Sequence, residues 1–437
     1  LQYAQELLIK SGERTRAARR HADFFFNLAI QAESRLMGPE QKAWLERLEA
    51  EHDNMRTVLL WALETNVELG LRLAEALQKF WHIRGYSSEG RQWLAELLAR
   101  ECLSEDAGRR AKALNAAGLM AIDEGDYLSA HSRCDEALLL FRNLGDHDGV
   151  ATSLTYLGHV AIRQGDLPAA RVLYDEALSI RRELSDKYGI STSLTNLGNV
   201  AERQGDYATA RLRYLDSLAI RRELGDKWGV AGVLNNLGVV ANGLRDAVSA
   251  RTHYEESLAI WTELGDKHLV AASLNNLGHL AGQGGDYTKA RSLCEESLSI
   301  RRQLGDKHGI AMSLKALGDI AAQERNYPAA CSLYRQSLAI RLELGESADT
   351  AGSVEKLAAI ALAERQFERA ALLWAAAEAL RVKVSSQRSL DEHEDYKRNI
   401  DTARSALGDE AFRSIWERGQ AMAPDQAIAY ALQDGTD

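Results

Sequence analysis

The chain has 437 residues, 46% of them hydrophobic and 27% charged, a composition that excludes a disordered or fibrous protein. Its 53 basic and 63 acidic residues leave a formal charge of −10, which argues against direct nucleic-acid binding, because neutralising phosphates calls for a basic excess. Only 4 prolines occur, which leans towards an all-α fold, and no apolar run reaches the roughly 18 residues that would cross a bilayer.

Cys102, Cys134, Cys294 and Cys331 form no CxxC pair, so a reducing, cytoplasmic setting without structural disulfides is expected. The chain opens on Leu1 rather than Met and reads as a piece of something longer. Residues 1–67 are expected to form an N-terminal helical cap, with three helices over 14–65 and a local core of Phe24, Phe25, Phe26, Trp44 and Trp61. Residues 68–110 read as one degenerate helical repeat that keeps Leu77, Gly85 and Gly90 but carries larger residues elsewhere.

From residue 111 the chain aligns with itself in blocks of forty without a gap. Residues 151–190 read ATSLTYLGHVAIRQGDLPAARVLYDEALSIRRELSDKYGI, and 191–230 read STSLTNLGNVAERQGDYATARLRYLDSLAIRRELGDKWGV. Seven such units span 111–384. Each predicts two helices of about 18 residues, roughly 27 Å long. In the first, Leu154, Leu157, Gly158 and Ala161 recur at i, i+3, i+4 and i+7 along one face. Gly165 suits a left-handed turn, and Asp166 can cap the next helix. Pro168 and Pro328 fall in first turns, where a missing N–H costs little. Residues 385–437 predict a C-terminal helical cap of three helices.

These residues resemble the tetratricopeptide repeat family. Its Leu-Gly pair matches Leu157–Gly158, Leu197–Gly198, Leu237–Gly238, Leu277–Gly278 and Leu317–Gly318. Its early small residue matches Ala130, Ala170, Ala210, Ala250, Ala290, Ala330 and Ala370, and its aromatic matches Tyr174, Tyr214, Tyr254, Tyr334 and Trp374. The family's terminal proline is absent, since the period here is forty. The resemblance implies an α-solenoid superhelix of helical hairpins, capped at both ends. The flanks RTRAARRHADFFFNLA, GPEQKAWLERLEAEHDNMRTVLLWAL and ALGDEAFRSIWERGQAMAPDQAIAYAL resemble the C-terminal half of bacterial STAND-type signalling ATPases and of LuxR- or AfsR-like transcription regulators. LQYAQELLIKSGE resembles the join that follows their winged helix. That second resemblance implies a regulatory sensor array whose partners include the ATPase core of its parent protein.

No HExxH, GxSxG, phosphate-binding loop or dinucleotide fingerprint occurs, so no enzyme, cofactor or metal site is expected. Asp391–Asp395 reads as a solvated helix start and Glu51-His52-Asp53 as a helix boundary. Cys294 and Cys331 read as inert core thiols. The pairs Arg181–Arg182, Arg221–Arg222 and Arg301–Arg302 read as complements to helix C-terminal dipoles.

In a stack of this kind the first helix of each hairpin lines the concave side, where a partner would lie. Its outward stripe steps through Tyr188, Trp228, His268 and His308, then Asn235, Asn275 and Lys315 with Asn196, Asn236 and Asn276 beside them. Deepest come His159, Asn199 and His279, with Arg163 and Arg203 a turn further on. Asparagine is a poor choice for a merely solvated helix face. Its amide can bond the backbone of an extended ligand or tie neighbouring helices together, and both readings stand. The expected function is non-enzymatic capture of a protein or peptide segment in the groove. A self-association arm and a small-molecule inducer pocket near Trp228, His268 and His308 are the alternatives.

Overall fold

The computed structural model describes residues 13–36, 40–100, 106–344, 347–383 and 390–433, and among these it contains 22 helices and no strand. The segment LQYAQELLIK, Cys102 and the Asp391–His393 side chains lie outside the described residues. Among the described residues, no helix is long and apolar enough to cross a membrane. The fold is an all-α solenoid of tandem hairpins, and its contacts divide into two compact units, 1–240 and 241–437.

In the first unit, α1 (Arg14–Arg35), α2 (Gln41–Ala50) and α3 (His52–Thr65) precede the hairpins α4 (Val67–Arg84) and α5 (Ser87–Arg100), α6 (Ala107–Asp123) and α7 (Tyr127–Leu144), α8 (His147–Gln164) and α9 (Leu167–Glu183), and α10 (Lys187–Arg203) and α11 (Tyr207–Leu224). Next in the chain is α12 (Lys227–Gly243).

The punctuation of these helices is chemical. Asp146, Asp166, Asp186 and Asp206 each accept the amide three residues on at 3.0–3.1 Å, satisfying a donor that the helix cannot. Gly165 and Gly225 stop helices at φ +81° and +68°. Ser185 occupies such a left-handed turn at φ 56°, a conformation that a Cβ disfavours.

Packing explains the Leu-Gly pairs. A Cβ on Gly158 would stand 2.4 Å from the Tyr174 ring, and one on Gly198 would stand 2.5 Å from the Tyr214 ring. Both rings are fully buried, so the two helices of a hairpin close only over glycine. At the flank, Phe25 and Trp44 are buried and Phe26 and Trp61 partly so. Phe24 corrects the expected local core: it is 60% exposed, because adjacent helical positions point about 100° apart and Phe25 takes the inward one.

The second unit continues with α13 (Ala247–Leu264), α14 (Lys267–Gln283), α15 (Tyr287–Leu304), α16 (Lys307–Gln323), α17 (Tyr327–Leu344), α18 (Ser347–Ala363) and α19 (Phe367–Lys383). Gly318 admits the Tyr334 ring in the same way. Three helices close the chain, α20 (Leu390–Leu407), α21 (Asp409–Gln420) and α22 (Pro424–Leu432), and Phe412, Ile415 and Ile428 share a core with Trp374.

Candidate binding cleft

Helix α4 buries Leu73, Ala74, Leu77, Phe80 and Trp81, and this leaves Glu75, Gln78, Lys79 and His82 on its other face at i, i+3, i+4 and i+7. That polar face turns towards α8 and α10. Gln78 Nε2 donates to the Tyr156 hydroxyl at 2.9 Å, and Lys79 Nζ donates to the Tyr188 hydroxyl at 2.8 Å while lying 4.8 Å from the ring centre. The Arg221 guanidinium is 5.6 Å from the same ring. Lys79 and Tyr188 are 109 positions apart in the chain, so α4 bounds the open side of the stacked first helices.

The cleft has a volume of about 770 Å³ and is lined from α1, α4, α6, α8, α9 and α10, a size typical of specific ligand sites. Its helices run parallel: Glu75 pairs with Lys112 early in α6 (3.3 Å), and His82 pairs with Asp123 at the end of α6 (2.9 Å). Asp148 sits in the first turn of α8 and Glu75 midway along α4, and Asp123, Arg163 and Arg203 sit at the C-terminal ends of α6, α8 and α10. Asp148 and Arg163 are separated along α8 by roughly 22 Å.

The lining groups are pre-set. Tyr156 and Tyr188 each accept from α4, which leaves their own protons for the cleft. Burial raises the Tyr156 hydroxyl to about 12, so it stays a donor. Burial, with His82 nearby, lowers His159 to about 4, and its neutral Nε2 accepts the Asn196 amide at 3.3 Å. Desolvation, then repulsion from Glu75, raises the Glu33 carboxyl.

Six of the residues expected to contact a partner meet here: His159, Arg163, Tyr188, Asn196, Asn199 and Arg203. Trp228, Asn235 and Asn236 are half-buried on α12 and do not line the cleft. In the second unit His268 is exposed and paired with Asp306 at 3.6 Å, His308 is exposed, and His279 is exposed and bonded to Gln283. Lys315 pairs with Asp319 at 3.0 Å, and Asn276 is half-buried.

The asparagine ladder, open from sequence between ligand contact and helix tying, finds partners on neighbouring helices. Asn115 donates to Ser153, Asn196 to His159, Asn236 to Asn199 and Asn275 to Ser313, at 2.9–3.3 Å and always 37 or 38 positions away. Asn196 and Asn275 are buried, so these amides tie one first helix to the next. The arginine pairs lie in the last turns of α9, α11 and α15, as expected, and one member of each also packs inside. Arg181, Arg221 and Arg301 are buried; Arg221 is paired with buried Asp226 at 2.6 Å, and Arg301 donates to the Gly309 carbonyl.

Gln78, Lys79, Tyr156, Thr152 and the Glu33–Glu75 pair line the cleft without having been singled out from sequence. The signal for Tyr156 was present: it stands in the repeat column that holds Asn196, Asn236 and Asn276.

Comparison with known proteins matches the tetratricopeptide repeat over residues 109–183, 154–223, 229–303 and 269–343, more than half of the chain. The chain belongs to the tetratricopeptide repeat family. A 164-residue stretch of this repeat protein is 28% identical to proteins of Mycobacterium tuberculosis and Mycobacterium bovis assigned as HTH-type transcriptional regulators. The match takes in 35% of the chain but 18% of those relatives, so the chain spans a minor part of their length. Among solved structures, a Rap protein complexed with competence and sporulation factor is similar over 85% of this chain and 99% of its own (14% identity, TM-score 0.61). The apo quorum sensor NprR of Bacillus thuringiensis is similar over 78% and 95% (15%, TM-score 0.55). Aspartyl phosphate phosphatase F of Bacillus subtilis is similar over 85% and 96% (13%, TM-score 0.55). These likenesses are of fold.

Proposed function

We propose that this repeat array is a non-enzymatic sensor module of a larger signalling ATPase or transcription regulator, and that it captures an extended peptide segment in the cleft of its first unit. The observation that carries the reading is the cleft itself: about 770 Å³, bounded by α4, with phenol, amide and imidazole groups facing inwards. An extended segment presents one donor and one acceptor per residue, and about seven residues cover 22 Å. The Rap structure that this chain resembles is described in complex with competence and sporulation factor, and the mycobacterial relatives as transcriptional regulators; both support the reading. Capture in the cleft also bears on α4, which reaches the array through Gln78 and Lys79. A bound segment changes the balance of those contacts and so carries a signal towards the N-terminal flank.

Thr152 is half-buried on the cleft wall, and Thr152→Trp would fill the space. A pool of random soluble heptapeptides passed over the wild type should leave retained sequences that the variant does not hold, with both proteins equally folded by circular dichroism. Equal retention by the two proteins would move binding out of the cleft, and no retention by the wild type would end the peptide reading.

A further inference from the structure

A glycine inside a helix costs stability relative to alanine, because it loses more conformational freedom on folding. Five glycines on the first helices of the first unit have their reason in packing. A Cβ on Gly149, Gly158, Gly189, Gly198 or Gly229 would stand 1.9–2.5 Å from a neighbouring side chain. Gly232, in the interior of α12, differs: a Cβ there would meet nothing within 4 Å. Its backbone is ordinary helix without a positive φ, so no turn requires glycine either.

Its position in the repeat places this gap beside the cleft. Trp228, Gly232 and Asn236 follow Tyr188, Thr192 and Asn196 by forty positions, and those three residues of α10 line the cleft. Spaced at i, i+4 and i+8, they share one face of α12. Asn236 Nδ2 donates to Asn199 Oδ1 on α10 at 3.2 Å, which holds that face against the cleft wall. All of these residues belong to the first unit. Where α8 and α10 present Thr152 and Thr192 to the cleft, α12 presents bare main chain between two half-buried side chains, Trp228 and Asn236.

We infer that this gap extends the cleft: the main chain of the captured segment leaves α10 and passes over α12 at Gly232, nearer to the helix than any side chain there would allow. The inference rests on the peptide reading above and adds a longer footprint to it. Dispersion falls off within an ångström of contact, and a missing Cβ lets a ligand backbone come that close to a helix. The Trp228 side chain, one turn earlier, borders the path. Neighbouring helices lie roughly 10 Å apart and an extended chain advances about 3.3 Å per residue, so about three residues beyond those in the cleft cross α12.

The test uses the full chain and heptapeptides that the wild type retains, each resynthesised with three alanines added at the N-terminus or at the C-terminus. At least one extension should tighten binding to the wild type about fivefold. Gly232→Leu, which fills the gap, should bind the parent heptapeptide as the wild type does and lose the gain from the extension. Gly232→Ala adds only the missing Cβ and should melt higher than the wild type while losing part of the gain, which separates the path from any loss of folding. No gain from either extension, or an equal gain in Gly232→Leu, would overturn the path over α12 while leaving capture in the cleft standing. Loss of the parent heptapeptide by a folded Gly232→Leu would place Gly232 among the residues already covered and would overturn the extension too. No heptapeptide retained by the wild type would remove capture and the extension together.

Discussion

His159 carries the cleft's chemistry at the residue scale. Burial holds its imidazole neutral down to about pH 4, while an unfolded histidine takes up its proton near 6.5. The folded pKa is the lower one, so stability is full above pH 6.5 and falls as pH drops towards 4, by up to roughly 3 kcal/mol. Urea unfolding at pH 7 and pH 4.5 should show this loss in the wild type and a smaller one in His159→Gln; equal losses would contradict a buried neutral imidazole. The residue column was legible from sequence, as was its inward direction. What intercepts it was not: periodicity assigns Asn196 to a face, whereas the ring of His159, 37 positions earlier, decides that its amide bonds within the wall. The buried arginines had a similar hidden cause. Arg181 and Arg221 fit because glycine stands eight positions on, at Gly189 and Gly229, where a Cβ would lie 2.3 Å and 1.9 Å from their guanidinium nitrogens.

Elements were the most readable level. The forty-residue period, the Asp caps and the Gly stops locate the hairpin helices because each is a local signal repeated many times. Their close approach rests on a few glycines, which gives a paired prediction. Gly198→Ala drives a methyl into the buried Tyr214 ring and should cost about 2 kcal/mol by overpacking. Gly232→Ala, on α12, meets nothing within 4 Å and should gain about 0.5–1 kcal/mol from helix propensity. Urea midpoints moving in opposite directions bear this out; a stabilised Gly198→Ala would refute the packing. Helix α4 was harder to place. Its hairpin is degenerate, and the contacts that bring Gln78 and Lys79 over the cleft join residues 78 and 109 positions apart, beyond any local pattern.

At the scale of the whole molecule, the account assigns recognition to the first unit and to its cleft alone. The chain covers less than a fifth of the length of its mycobacterial relatives. The second unit repeats the hairpin but lines its equivalent stripe with paired or exposed groups such as Lys315 with Asp319. Hydrogen exchange on the full chain, with and without a heptapeptide that the wild type retains, tests that assignment most directly. The account predicts slowed exchange in α4, α6, α8 and α10 and unchanged exchange in α14, α16 and α18. Protection confined to the later helices, or spread evenly over the chain, would contradict it.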